Sequence, residues 1–329
     1  MQSLDIKSSQ TRVDKLRKFI KRIMILFLVA FSCFNTSFAE QTKTIPIFVL
    51  DYLGSSAGEN APKIGRQYYT GFESIDEFKN FYIVPQNQLS STTQDLSNEV
   101  PGSGNFSHKA IINEKNAIIE NENTNHRAYP TFQFEKTSIG ILKSSVLVEF
   151  SVWADFKLSD LQDLNWFSLA TFTSYSDQYW YRSYLINIDA NYKIHLMHVP
   201  QQGQVIHDIY QSQSVIFPMK KWVKITAYID YLSSNRFNSP FIAVWQDGNL
   251  VSAARFDNRI DLISALKMEN RPKCLDGLPV NGTIEQAENL CGLVFTDGLA
   301  QAHFGLYAPP GLASGTIFND DLTISEIIH

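Results

Sequence analysis

Three cysteines in 329 residues exclude a disulfide-dense scaffold, and none has a second Cys or a His at zinc-site spacing. No Gly-x-Gly-x-x-Gly turn, Walker loop or His-Glu-x-x-His helix occurs, so dinucleotide, nucleoside triphosphate and zinc-protease chemistry lack their signatures. There is no internal repeat and no long low-complexity linker. The uncharged apolar run at residues 23–31 is too short to cross the roughly 30 Å of a bilayer core.

That run nevertheless has a role. Lys7, Arg12, Lys15, Arg17, Lys18, Lys21 and Arg22 precede it against only Asp5 and Asp14, and Ser37-Phe38-Ala39 follows. Basic segment, short apolar segment and small residues before a cut predict a signal peptide over 1–39, hence export to a periplasm or the medium and no stable membrane span. Without it, the 28 basic and 33 acidic residues fall to 21 and 31, a net charge of −10. A surface that acidic does not suit nucleic acid. Cleavage also discards Cys33 and leaves Cys274 and Cys291 flanking a Gly/Pro/Asn-rich stretch, which in an oxidising compartment predicts a disulfide across a surface loop.

About 290 residues remain, within the range of one all-β domain. The segment from Gly54 to Gly65 reads as a loose lead-in, so 40–69 is expected to precede a domain over 70–329. The stretch from Asn87 to Gly104 reads as loops. From Thr124 onward, period-2 alternation dominates: 127–135, 146–153, 167–173, 184–189, 194–199, 222–230, 241–246, 302–307 and 322–327. Asp247-Gly248 marks a hairpin. One short helical stretch, 261–268, sits among loops. Many strands with turn signals between them predict an all-β sandwich of two antiparallel sheets.

Several segments together resemble the concanavalin A-like jelly rolls of polysaccharide lyases, the heparin, glucuronan and alginate lyases among them. Gly71-Phe72-Glu73 with Gly104-Asn-Phe-Ser-His-Lys109 is similar to their first strands. Trp222-Val-Lys-Ile-Thr-Ala-Tyr-Ile-Asp230 with Val244-Trp-Gln-Asp-Gly248 is similar to their central hairpin. Phe318-Asn-Asp-Asp-Leu-Thr-Ile324 resembles their last strand, and Ala302-His-Phe-Gly-Leu-Tyr307 resembles the alginate-lyase strand that ends in a catalytic Tyr. The resemblance spans most of 70–329 and implies a jelly roll. It also implies a structural calcium ion tying first strand to last through Glu73 and Asp321. Two departures stand out: the strand that carries Gln-x-His in alginate lyases reads Leu169-Ala-Thr-Phe-Thr173, and position 303 is His in place of Lys.

Cleaving a uronate polymer by β-elimination needs a group that neutralises the carboxylate, a base and an acid. Arg suits the first because its planar fork pairs a carboxylate bidentately. Alternation places Arg127, Tyr129, Thr131 and Gln133 on one face, opposite Ala128, Phe132 and Phe134, with Pro130 as an interruption. His303 and Tyr307 share a face opposite Phe304 and Leu306. Arg127, Tyr307, His303, Tyr129 and His126 are therefore the catalytic candidates, expected along one concave cleft. Gln133, Arg182, Trp180 and His195 are the substrate-binding candidates, Trp180 as a stacking platform. For Arg127 the competing reading is a solvated edge residue; for Tyr307, an aromatic packed under a loop. The expected protein is a monomer acting on an acidic polysaccharide without an organic cofactor. The alternative is a lectin-like binding module on the same sandwich.

Overall fold

The computed structural model describes residues 44–55, 61–79, 91–119, 124–134, 139–157, 166–173, 183–199, 207–231, 240–255, 286 and 298–329. Signal segment 1–39, Trp180, Arg182, Cys274 and Cys291 lie outside them. Among the described residues, two antiparallel sheets face each other. The larger runs His207–Gln211, Asn249–Arg255, Phe241–Gln246, Val223–Asp230, Ser145–Asp155, Gly315–Ile328, Ser107–Ile112, Thr92–Ser97, with Lys63–Thr70 also paired to Gly315–Ile328. The smaller runs Ile194–Val199, Ser183–Asp189, Trp166–Thr173, Gln301–Ala308, where both His126–Ala128 and Thr131–Gln133 pair with the last of these. This is the antiparallel β-sandwich that the alternation implied, of the jelly-roll type that the resemblance implied.

The core forms because each sheet turns one set of alternate side chains inward. Val146, Val148, Phe150 and Val152, with Ile225, Ala227, Ile229 and Val244, meet Phe132, Phe167, Phe172, Ile186 and Phe304 of the smaller sheet. The Phe150 and Phe304 rings touch edge to face across the gap at 5.2 Å. Burying each of these Val, Ile and Phe side chains contributes about 1.5–3 kcal/mol relative to exposure. Asp247 and Gly248 both take positive φ, 49° and 79°, as the tight turn between Phe241–Gln246 and Asn249–Arg255 requires.

Two expectations are corrected. Within the expected lead-in 40–69, Ile47–Leu53 is a helix and Lys63–Thr70 is a strand of the larger sheet. The helix lays Val49 and Leu50 on an apolar outer patch of Leu147, Tyr228, Phe241 and Trp245, and Tyr52 meets Trp245 edge-on at 5.4 Å. Large aromatics on both faces of the central strands need a cover, and composition alone hides which segment supplies it. The polar stretch 87–104 contains a strand, Thr92–Ser97, paired with Ser107–Ile112. No helix among the described residues is long and apolar enough to cross a membrane.

Candidate functional site

The outer face of the smaller sheet is polar. Directly opposed residues of neighbouring strands share a face, so the register lays out its rows. One row runs Arg127, Tyr307, Ser168, Asn187, His195; the next runs Thr131, His303, Thr171, Leu185, Met197; a third begins Gln133, Gln301, Thr173, Ser183. The expected chain 127–135 is two short strands, broken at Tyr129 and Pro130, whose ring removes a ladder donor. Both pieces keep register with Gln301–Ala308, so the polar face survives the break.

Arg127, Tyr129, His303 and Tyr307 come together. Arg127 and Tyr307 are opposed residues, and the guanidinium carbon lies 6.0 Å from the Tyr307 ring centre. Tyr129 stacks on His303 at 3.8 Å and 17° and meets Tyr307 edge-on at 6.2 Å. Trp166 approaches Tyr307 at 5.1 Å. Asn125 Nδ2 donates to the Tyr307 hydroxyl at 3.1 Å, which leaves the phenolic proton to point elsewhere. Arg127, Tyr307 and Trp166 are half-buried, whereas Tyr129 and His303 are buried.

Burial sets the proton chemistry. It pushes the His303 imidazole down to about 3, helped by the nearby Arg127 charge, so that ring is neutral at ordinary pH. Burial pushes the Tyr129 phenol up, against the pull of Arg127. His303 stands directly opposite Thr171 on the neighbouring strand.

His126 does not join the cluster, which corrects its place among the candidates. As a neighbour of Arg127 in sequence it points the other way and is fully buried. Its Nε2 donates to the Leu312 carbonyl at 2.9 Å and its Nδ1 accepts from the Ser91 hydroxyl at 3.0 Å, a structural pin. Gln133 lies in the third row, its amide nitrogen donating to Gln301 Oε1 at 2.9 Å. His195 ends the Tyr307 row, three strands away.

Trp166 and Asn187 escaped the sequence reading. Alternation back from Thr173 and Thr171 puts Leu169 outward and Ser168 inward. A register shift between Ser168 and Ala170 reverses this, as a bulge does, and brings Ser168 and Trp166 to the polar face. No residue type announces that shift.

At one edge of the larger sheet, Glu73, Asp320 and Asp321 converge on the loop 100–106. Glu73 accepts from the Asn105 amide at 3.0 Å, Asp321 from the Ser103 hydroxyl at 2.7 Å, and Asp320 from the Gly102 and Ser103 amides at 2.9 Å. Asp320 is fully buried, and burial raises its carboxyl to about 6. The loop meets these carboxylates with backbone N–H groups and the Ser103 hydroxyl, and among the described residues no three His, Cys, Asp or Glu side chains are grouped so as to hold a metal ion.

Neither a family model nor a curated protein matches the chain. Among solved structures it is similar to the cellulose-induced protein Cip1, at 13% identity and TM-score 0.42, covering 74% of this chain and 88% of that one. It is similar to the endo-β-1,4-glucuronan lyase of the fungus Trichoderma reesei, at 13% identity and TM-score 0.46, covering 79% and 95%. It is also similar to the botulinum neurotoxin serotype C1 binding domain, at 10% identity and TM-score 0.33, covering 72% and 43%. At these identities the likeness concerns the fold alone.

Proposed function

We propose that the protein binds an acidic polysaccharide across the outer face of the smaller sheet and cleaves it by β-elimination. The observation that carries this reading is the opposed Arg127–Tyr307 pair, with Asn125 donating to the Tyr307 oxygen at 3.1 Å. Arg127 pairs the uronate carboxylate, which makes the neighbouring C–H acidic. Solvent water at the half-buried Tyr307 takes that proton, the electrons of the broken C–H bond form the new C=C bond, and the C–O bond to the leaving sugar breaks with its electron pair on the leaving oxygen. Tyr307, its oxygen held by Asn125, gives its proton to the leaving oxygen. Trp166 supplies a stacking surface beside Tyr307.

A second reading, binding without cleavage, is favoured by one observation. His303, the imidazole of the cluster, is buried under Tyr129, and burial makes it a poor proton acceptor. One experiment separates the two. The protein is incubated with alginate, glucuronan, heparin and pectate while ultraviolet absorbance reports unsaturated uronate. A rise supports elimination; binding with no rise in any polymer leaves the lectin-like reading; no binding at all removes both.

The same proposal includes a structural calcium ion held by Glu73 and Asp321, tying the opening of the domain to the last strand. The ion would serve stability and take no part in the reaction. A ligand that binds only the folded state adds about 2.7 kcal/mol at a hundredfold excess over Kd. Millimolar calcium is therefore expected to raise the thermal midpoint above that in excess EDTA, and Glu73→Ala to erase the difference. Equal midpoints for wild type in the two buffers would count the ion out. Export and oxidation complete the proposal: the secreted chain should begin at Glu40 and carry a Cys274–Cys291 disulfide. Its unreduced mass should be two protons below the dithiol value; two freely alkylated thiols in native protein would exclude the bridge.

A further inference from the structure

The polar row does not stop at Tyr307. It continues through Ser168 and Asn187 to His195. Adjacent strands lie about 4.8 Å apart, so Asn187 stands roughly 10 Å and His195 roughly 14 Å from Tyr307 across the sheet. One strand spacing is comparable to one sugar ring. A polysaccharide crossing the strands from Arg127 thus meets Asn187 two rings further on and His195 three.

Asn187 is fully buried, yet its amide is poorly served. Nδ2 reaches the Met197 thioether at 3.6 Å, a weak acceptor, and Oδ1 is buried with no hydrogen-bond partner. In the neighbouring row Thr171 Oγ1 is in the same condition. A buried polar group left unpaired costs about 1–3 kcal/mol, and leucine would fill nearly the same space without that cost. The fold carries the cost beside His195 and Met197, both half-buried, where the row comes nearest to solvent again.

We propose that Asn187 is the floor of a distal subsite, with His195 and Met197 at its mouth, that takes the hydroxyl groups of a sugar ring two to three rings from the uronate on Arg127. The assignment rests on the polysaccharide reading above. An amide offers a donor and an acceptor side by side, and vicinal sugar hydroxyls offer the complement. A carboxylate would not suit, because it would face the Asn187 carbonyl oxygen as a second acceptor. The unbranched Met197 side chain is flexible enough to yield, and Nδ2 then exchanges a thioether for a hydroxyl oxygen.

The test is Asn187→Leu, measured by thermal unfolding and by titration with glucuronan and alginate oligosaccharides of two lengths, disaccharide and hexasaccharide. The midpoint should hold or rise, hexasaccharide affinity should fall about tenfold, and disaccharide affinity should match wild type. His195→Ala, at a half-buried position, should show the same length-selective loss and serves if the first variant folds poorly. Unchanged hexasaccharide affinity in both folded variants overturns the subsite, as does a lowered midpoint with equal losses at both lengths, which would make Asn187 structural. A wild type that binds neither length removes the polysaccharide reading and the subsite together. Binding abolished by Arg127→Ala but untouched by Asn187→Leu removes the subsite alone.

Discussion

Tyr307→Phe should lower kcat for elimination by at least about a hundredfold while the protein stays folded, since a positioned proton donor contributes roughly 10²–10⁴ to rate. Phenylalanine keeps the ring contacts that hold position 307 in place: Trp166 at 5.1 Å, His303 at 6.0 Å and Tyr129 at 6.2 Å. It removes an oxygen to which Asn125 donates, at a half-buried site where losing such a bond costs about 1 kcal/mol. The loss should fall on kcat, with KM little changed, because the oxygen acts on the departing group. Arg127→Ala should fall chiefly on KM, because the guanidinium meets the carboxylate before and during reaction alike. The two variants therefore separate binding from proton transfer on one cross-strand pair. Steady-state kinetics by ultraviolet absorbance would decide it, and wild-type turnover in Tyr307→Phe takes Tyr307 out of the mechanism.

Much of this site was legible because β-strands impose a period of two. Arg127 and Tyr307 are placed on polar faces by alternation alone, and the pairing of their strands then makes them neighbours. Pro130 was readable as an interruption. What alternation cannot supply is a change of phase. The shift between Ser168 and Ala170 moves Trp166 and Ser168 onto the polar face, and nothing in Phe167-Ser-Leu-Ala170 marks it. Nor does a period reveal depth: His303 and Tyr307 share a face, yet one is buried and the other half-buried. That difference sets the His303 imidazole at about 3 and changes what the pair can do. The helix Ile47–Leu53 was missed for a related reason. Its partner is a patch of residues from the outer face of distant strands, so its burial belongs to tertiary contact rather than to its own pattern.

The arrangement of the aromatic cluster depends on a residue without a side chain. Gly305 lies between His303 and Tyr307 with φ +136°, a conformation open to glycine and rarely to others. A Cβ placed there would come within 2.9 Å of the Ala128 carbonyl oxygen and 3.0 Å of both Tyr129 Cβ and His108 Cε1. The first of these is backbone of the paired strand, and it cannot give without breaking the ladder at Leu306–Ala128. The last belongs to a fully buried imidazole tied to Gln94 Oε1 at 2.9 Å. The Tyr129 Cβ is fixed to its own backbone, and moving it would pull the ring off His303. Gly305→Ala should therefore destabilise by about 3 kcal/mol or more, from strain at positive φ added to overpacking. In a domain of this size that lowers the thermal midpoint by roughly 6–12 °C. Calorimetry or urea unfolding reads the stability directly. An unchanged midpoint in Gly305→Ala would mean that the strand passes this point with space to spare, and that the Tyr129 stack on His303 is set by something other than the missing side chain.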